Sequence, residues 1–216
     1  PKNLGFAAGV NHGLTWIGMH FPGSWTLLIN NDAVLLPGGL FALCQALSKT
    51  PAAVIAYPTI DHGGRLISTA YYQRHFGLIT TKSLPGSIPY ASGCCLLIAP
   101  ERMPAPLFDE DFFMYGEDVE LGYRLGMQRM VHVPSVSVRH EGSASSGMGS
   151  PFYEARMVAG HWLLARKLAK NRFDLGLLYL GRVIALMLRA CVRAWRYRSL
   201  IPLSALKMGW CIANRR

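Results

Sequence analysis

The sequence predicts an α/β fold: a mostly parallel sheet flanked by helices, followed by a basic amphipathic helical tail. Three observations carry this. Short apolar runs alternate with segments of helical spacing, which is the order of a sheet with crossover helices. With 216 residues, 51% of them hydrophobic, the chain is long enough for one full-sized domain or a domain with a helical appendage, and intrinsic disorder is excluded. The charge is also divided. Residues 1–150 hold 9 Lys and Arg against 10 Asp and Glu, a net of −1, whereas residues 151–216 hold 13 against 2, a net of +11. The expected organisation is an α/β unit over 1–150 and a helical, basic unit over 151–216.

Trp25 to Ile29 is a short, branched apolar run that ends in Asn30, Asn31 and Asp32, and it reads as a buried strand with polar groups at its carboxyl end. Pro37 stands where a helix can begin, Leu40, Leu43 and Leu47 follow at helical spacing, and Pro51 closes the segment. Ala53 to Tyr57 is the next strand. Residues 58–90 read as irregular structure or a hairpin. Cys94 to Ile98 is a further apolar strand, Glu117 to Gln128 a short helix with Leu121 and Leu125 facing the core, and Met130 to Val138 a strand leading to His140. The Ser- and Gly-rich stretch 142–150 reads as a loop or boundary. In sheets of this kind ligands bind at the carboxyl ends of strands, where Asn30, Asn31 and Asp32 stand.

Five cysteines, an odd number with no signal-peptide pattern ahead of them, read as reduced thiols in a cytosolic setting. No stretch of about 18 residues is both charge-free and strongly apolar, so a spanning helix is not expected. Within 175–198, Arg182, Arg189 and Arg196 recur every seven residues, with Arg193 four after Arg189, while Leu, Ile, Val, Met and Trp195 fill the rest. This pattern predicts a helix lying in a lipid interface, its Arg stripe toward anionic headgroups. The alternative is an amphipathic helix packed on the core or on another subunit. No nucleic-acid-binding motif is present, so nucleic acid is not an expected partner.

Candidate chemistry sits in three places. Asp32 at a strand end could hold Mg²⁺ or Mn²⁺ together with a diphosphate, because these ions favour carboxylate and phosphate oxygen; an Asx turn capping the helix near Pro37 is the plainer reading. The block from Phe108 to Asp118 packs five acids among three Phe and a Tyr. Aromatic packing around carboxylates lowers the local dielectric, which suits a general base, and Glu117-Asp118 opens a helix whose dipole favours the ionised form. N-capping by Asp118 is the alternative. His140 is a lone histidine at a strand end. The glycines at 5, 9 and 13 fit neither a dinucleotide-binding nor a P-loop pattern, and no zinc spacing occurs.

In order and spacing these segments resemble the inverting glycosyltransferases of family 2, with the GT-A fold, and among them the rhamnosyltransferase-like bacterial members. The matching pieces are Asn3 to Asn11, Leu27 to Asp32, Ser92 to Ile98, the long block Phe108 to Arg124, then Pro134 to His140 and Gly142-Ser143. The resemblance implies that Asn30-Asn31-Asp32 stands for the DxD motif, with Asp32 the metal-binding acid and Asn30 replacing the first acid. It implies that Asp118 of the Glu117-Asp118 pair is the catalytic base and that His140 completes the metal site. Gly9 and Asn11 would lie near the nucleotide-sugar donor together with Asn30 and Asn31, Ser92 and Gly93 near the acceptor, and Arg156 near a phosphate. The family's first strands, with a V-x-Y-N and a D-N-x-S-x-D run, are expected ahead of Pro1, so the chain reads as N-terminally truncated.

The implied reaction is a single displacement that moves a sugar, dTDP-rhamnose being the donor by likeness, onto a hydroxyl of a lipid-linked cell-surface glycan at the inner face of the membrane. A rival reading is a non-catalytic remnant or scaffold subunit of a polysaccharide assembly complex. A third is an anionic-lipid-binding module.

Overall fold

The computed structural model describes residues 2–102, 106–140 and 149–215. Glu141, Gly142-Ser143 and most of the expected loop over 142–150 lie outside the described residues. Helix α1 (Phe6–His20) leads into β1 (Thr26–Ile29), β2 (Ala33–Leu35), α2 (Gly39–Lys49) and β3 (Ile55–His62). Then come β4 (Arg65–Ile67), β5 (Ala70–Gln73), β6 (Leu78–Thr80), β7 (Ser87–Tyr90), β8 (Cys95–Ile98), α3 (Glu117–Leu125) and β9 (Met130–His140). Helices α4 (Pro151–Leu168), α5 (Arg172–Tyr197) and α6 (Ile201–Ala213) complete the described elements.

The sheet departs from the expected mostly parallel one. Its order is β1-β8-β3-β9-β2, with β4 beside β3, and among its neighbouring pairs only β3 and β9 are parallel. Strands β1, β3 and β9 do share one direction, as a strand–helix–strand unit requires. Yet β8 is inserted between β1 and β3, antiparallel to both, in a split β–α–β arrangement. A four-residue buried run such as Cys95–Ile98 has the same composition whichever way it points, so direction and adjacency could not be read from it. Residues 58–90 are also more regular than expected: β3 runs on to His62, and β6-β5-β7 form a separate antiparallel sheet.

The core lies on both faces of the main sheet. Phe6, Val10 and Leu14, one helical turn apart, lay α1 against Ile55, Tyr57, Leu96, Phe108 and Leu121 on one face. Leu43 and Leu47 of α2 cover the other, over Ala56, Leu97 and Val136, whereas Leu40 of the expected stripe points to solvent. Helix α3 ends one turn earlier than expected because Gly126, at φ 68°, takes up a left-handed conformation that breaks it.

The helical part is not a detached tail. Leu164 and Leu168 of α4 share a core with Tyr72, Ile88, Tyr90, Phe112 and Val119, and α6 lies on α4 with Gly209 against Val158. Small residues allow the close approach: a Cβ at Gly160 would strike the Tyr115 carbonyl, and one at Gly181 the His75 carbonyl.

Helix α5 is turned opposite to the expected orientation. Arg182 is fully buried and donates to the carbonyls of His75 and Arg74, both at 2.8 Å. Arg189 and Arg193 donate to Glu154, itself fully buried. Of the four stripe arginines only Arg196 is exposed. The outward face is apolar instead, with Phe173, Leu180, Leu188, Val192 and Trp195 all largely exposed. The seven-residue spacing located a shared face correctly but carries no information on which way that face points. The expectation that no helix reaches spanning length is corrected too: α5 has 26 residues and a mean hydropathy of 1.8 over its most apolar 18-residue window, long and apolar enough to cross a bilayer. The 18 residues 175–192 contain only two charged side chains, Arg182 and Arg189. Helices lying on a membrane and buried helices share that length and composition.

Candidate functional site

The turn after β1 brings the first residues into place. Asn30 donates its backbone N–H to the Cys94 carbonyl at 2.9 Å, and Ala33 donates back to Asn30 at 3.1 Å. The chain therefore turns at Asn30–Asp32 and enters β2, whose register sets Ala33 opposite His140 at the end of β9. Asp32 and His140 meet as a consequence: His140 Nε2 lies 3.2 Å from Asp32 Oδ1. The two atoms are close but not aligned as a hydrogen bond, and His140 Nε2 is buried with no hydrogen-bond partner. An Asx cap on α2 is not formed; that helix starts at a left-handed Gly38 with no side-chain cap.

The acidic block divides into two sets. Asp109 and Asp111 are paired with Lys167 of α4, and Glu110 accepts from Asn11 at 2.9 Å. These three acids hold the loop. Glu117 and Asp118 occupy the first turn of α3 behind Gly116, which is the residue preceding the helix, so Asp118 is not its N-cap. Asp118 accepts the backbone N–H of Val119 at 2.9 Å and those of Gly93 and itself. Glu117 accepts its own N–H and that of Tyr115, while its Oε2 is buried without a partner. Burial raises both carboxyls above their ordinary value, and the neighbouring Asp118 charge raises Glu117 further. The N–H groups at the helix start oppose this only in part.

Residues 92–94 join the two halves: Cys94 accepts from Asn30, and Gly93 donates to Asp118. Asn30, Asn31, Asp32, His140, Ser92, Gly93, Glu117 and Asp118 thus line one cavity of about 310 Å³, together with Phe6 and Tyr115. Eight of the residues singled out in the sequence are brought together here.

Three are not. Asn11 is buried and holds the Phe108 backbone at both ends, its Nδ2 donating to the carbonyl at 2.8 Å and its Oδ1 accepting the N–H at 3.0 Å. It faces a different cavity, of about 410 Å³, between α1 and the chain after β8. Gly9 sits on the same helix with open space around it. Arg156 stacks on Phe113, its guanidinium 4.1 Å from the ring centre, and does not line the cavity of Asp118.

No family model matches the chain. Over 183 residues of alignment, 67% of this chain and 58% of the relative, it is 29% identical to the N-acetylglucosaminyl-diphospho-decaprenol L-rhamnosyltransferase of Mycobacterium tuberculosis, in both strain CDC 1551 / Oshkosh and strain ATCC 25618 / H37Rv. The similarity is to a glycosyltransferase. The chain spans less than two thirds of the length of these curated relatives.

Two features of the site carried little signal in the sequence. Tyr115 has a positive φ of 69° and Gly116 one of 110°, so the residues just before the acid pair are held in a strained turn. The Tyr-Gly pair ahead of Glu117 was the available hint. The second is a cavity behind Asp118, lined from the sheet of β5, β6 and β7 and from α4, which begins 61 residues after β7 ends.

Proposed function

We propose that the chain is the greater part of the catalytic unit of an inverting glycosyltransferase, moving a sugar from a nucleoside-diphosphate donor to a hydroxyl of a lipid-linked glycan. The observation that carries the proposal is the single cavity in which the Asp32–His140 pair and the Asp118 carboxylate face one another. The similarity to a rhamnosyltransferase supports rhamnose as the sugar moved and an N-acetylglucosaminyl-diphospho-polyprenol as acceptor; dTDP-rhamnose is the donor that the sequence resemblance implies.

In this reading the acceptor oxygen attacks the anomeric carbon as the bond from that carbon to the diphosphate breaks. The bonding pair leaves with the diphosphate, and the acceptor proton passes to Asp118. Attack opposite the departing group inverts the sugar. The raised pKa of Asp118 matches it to this task, since a carboxylate of ordinary pKa is a poor acceptor for a hydroxyl proton. Gly93 and Val119 fix the rotamer of Asp118 through its oxygens.

Asp32 and His140 would hold a divalent cation, Mg²⁺ or Mn²⁺. Their fit rests on the unsatisfied, buried His140 Nε2 beside a carboxylate oxygen, an arrangement complete only with a further partner. Among the described residues no third His, Cys, Asp or Glu joins them, which leaves positions for diphosphate and water. When bound, such an ion supplies neutralisation of the charge that develops on the leaving diphosphate.

The apolar outward face of α5 supports placement at the inner surface of the plasma membrane, with exposed Lys170, Arg172, Arg196 and Arg198 at the two ends of that helix toward anionic lipid. The deciding experiment is Asp118→Asn. Transfer should fall by about 10²–10⁴-fold while calorimetry finds nucleotide-sugar affinity unchanged; full transfer by the variant removes Asp118 from the role of base. A chain that binds no nucleotide-sugar at all would return the reading to a non-catalytic remnant or scaffold subunit.

A further inference from the structure

We infer that a second cavity, on the far side of Glu117-Asp118 from Asp32 and His140, receives the terminal sugar ring of the acceptor. The inference rests on the transferase reading and deepens it by assigning the acceptor's side of the site. The cavity is about 140 Å³ and is lined by Tyr72, Tyr90, Tyr115, Met157 and His161, with Glu117 and Asp118 as its inner wall. The same two acids line the donor-side cavity. The acceptor oxygen must reach the anomeric carbon directly, so the base has to stand at the rim where the two spaces meet, and among the described residues Glu117, Asp118 and Tyr115 alone line both.

The lining selects a chemical class. Among the described residues no Lys or Arg lines this cavity, and none of its lining favours a diphosphate. His161 adds no charge, since burial first and then Arg182 and Arg189 pull its pKa down to about 3. Its Nδ1 is 2.9 Å from the Tyr72 hydroxyl. Burial pushes the Tyr72 phenol up to about 12, and burial together with Asp118 raises Tyr90, so both phenols stay neutral donors and acceptors. Aromatic faces and a thioether beside neutral polar groups suit a ring with one C–H face and several hydroxyls. The volume is below the ~300–1,000 Å³ of sites that take drug-sized ligands, the size for one ring rather than several.

The approach to the cavity agrees with a lipid-borne sugar. Ile79 lines it and is exposed, as are Leu78 and Phe76 on the same hairpin. That hairpin abuts α5, where Gly181 lies against His75 and 3.7 Å separates a Cβ built there from the Phe76 ring. The exposed apolar residues of this hairpin therefore stand beside α5.

The test uses two substitutions that narrow the cavity, Met157→Trp in its wall and Ile79→Trp at its exposed rim, the second unable to disturb the core. Each should raise the acceptor KM at least tenfold and leave nucleotide-sugar affinity within twofold. In parallel, methyl N-acetyl-β-glucosaminide is titrated into chain carrying ¹³C-methyl methionine, and the Met157 methyl signal should shift. Transfer with an unchanged acceptor KM in both variants and an unmoved Met157 signal overturns the cavity assignment and leaves the transferase standing. A shift that Ile79→Trp abolishes, in a chain that transfers no sugar, overturns the transferase and leaves the cavity a sugar site. Absence of both transfer and shift overturns the two together.

Discussion

Gly160→Ala on α4 isolates how the acid pair is held. A Cβ at position 160 would lie well under 3.0 Å from the Tyr115 carbonyl oxygen and 3.1 Å from its carbonyl carbon. Ordinary carbon contacts need about 3.5 Å, so the two segments must part by on the order of 1 Å. Helix α4 is pinned on its other side, where Ala155 and Val158 meet Gly209 of α6. The movement therefore falls on Tyr115-Gly116, a turn already at φ 69° and 110°, and on Glu117 and Asp118 directly after it. Overpacking costs about 1–3 kcal/mol, while replacing a helical Gly by Ala returns about 1 kcal/mol. The net loss, up to about 2 kcal/mol, leaves a domain of ordinary stability folded. A reacting group misplaced by 1 Å costs about 10²-fold in rate. The assay is kcat at saturating donor and acceptor, with thermal unfolding alongside. Gly18→Ala, in open space on α1, is the control and should keep kcat while gaining about 0.5–1 kcal/mol. A Gly160→Ala variant with wild-type kcat would refute the claim that this contact sets the position of Asp118.

Two further outcomes follow from buried charge. Because the folded-state carboxyls of Glu117 and Asp118 are raised above their unfolded value, their contribution to stability is full below the ordinary carboxylate range, near ~4, and is lost as pH rises through the raised values. Transfer should rise over the same pH span as Asp118 ionises, and Glu117→Gln should flatten the stability profile; parallel unfolding and rate measurements across pH check both, and a wild-type stability that climbs with pH there contradicts the assignment. Glu154→Leu leaves Arg189 and Arg193 half-buried without their partner, and unfolding should become easier by about 3–5 kcal/mol. A change under 1 kcal/mol in denaturant titration would show that the clamp is not what seats α5.

The sequence carried β1, β8, α3 and β9, because each is marked locally, whereas α1, β2 and the sheet of β5–β7 were not read from it. The run Thr26–Ile29 is apolar and stops at Asn30; Glu117-Asp118 stands just behind a glycine; Leu121 and Leu125 share a helix face. Convergence of Asp32 with His140 depends on the pairing of β2 with β9, which a three-residue strand does not announce. Asn11 shows the opposite failure. It belongs to the matching block, yet its amide is consumed by the Phe108 backbone, an arrangement set by tertiary packing of α1. Among the five clustered acids the helix start marks Glu117 and Asp118, but nothing local shows that Asp109, Glu110 and Asp111 are taken up by partners. The partners that separate them, Lys167 and Asn11, lie 56 and more residues away from the block or nearly a hundred before it.

The inward turn of the arginines changes what the tail's charge can do at a membrane. Arg182, Arg189 and Arg193 are spent on carbonyls and on Glu154, so they cannot bind lipid headgroups without unseating α5. In the proposed membrane placement the apolar strip would supply the bulk of the affinity, and the exposed basic residues at its ends only the preference for anionic lipid. The two contributions separate by substitution. Leu188→Glu with Val192→Glu places two charges in the middle of the strip, and binding to both neutral and anionic vesicles should fall below detection. Arg196→Gln with Arg198→Gln should leave neutral vesicle binding intact and weaken binding to anionic vesicles by about 1 kcal/mol per residue, an effect that fades as salt rises. Sedimentation with vesicles of phosphatidylcholine alone and with added phosphatidylglycerol distinguishes the cases. Should the glutamate pair bind anionic vesicles as well as the unaltered chain, the apolar face is not the membrane face, and a protein partner becomes the better occupant of α5.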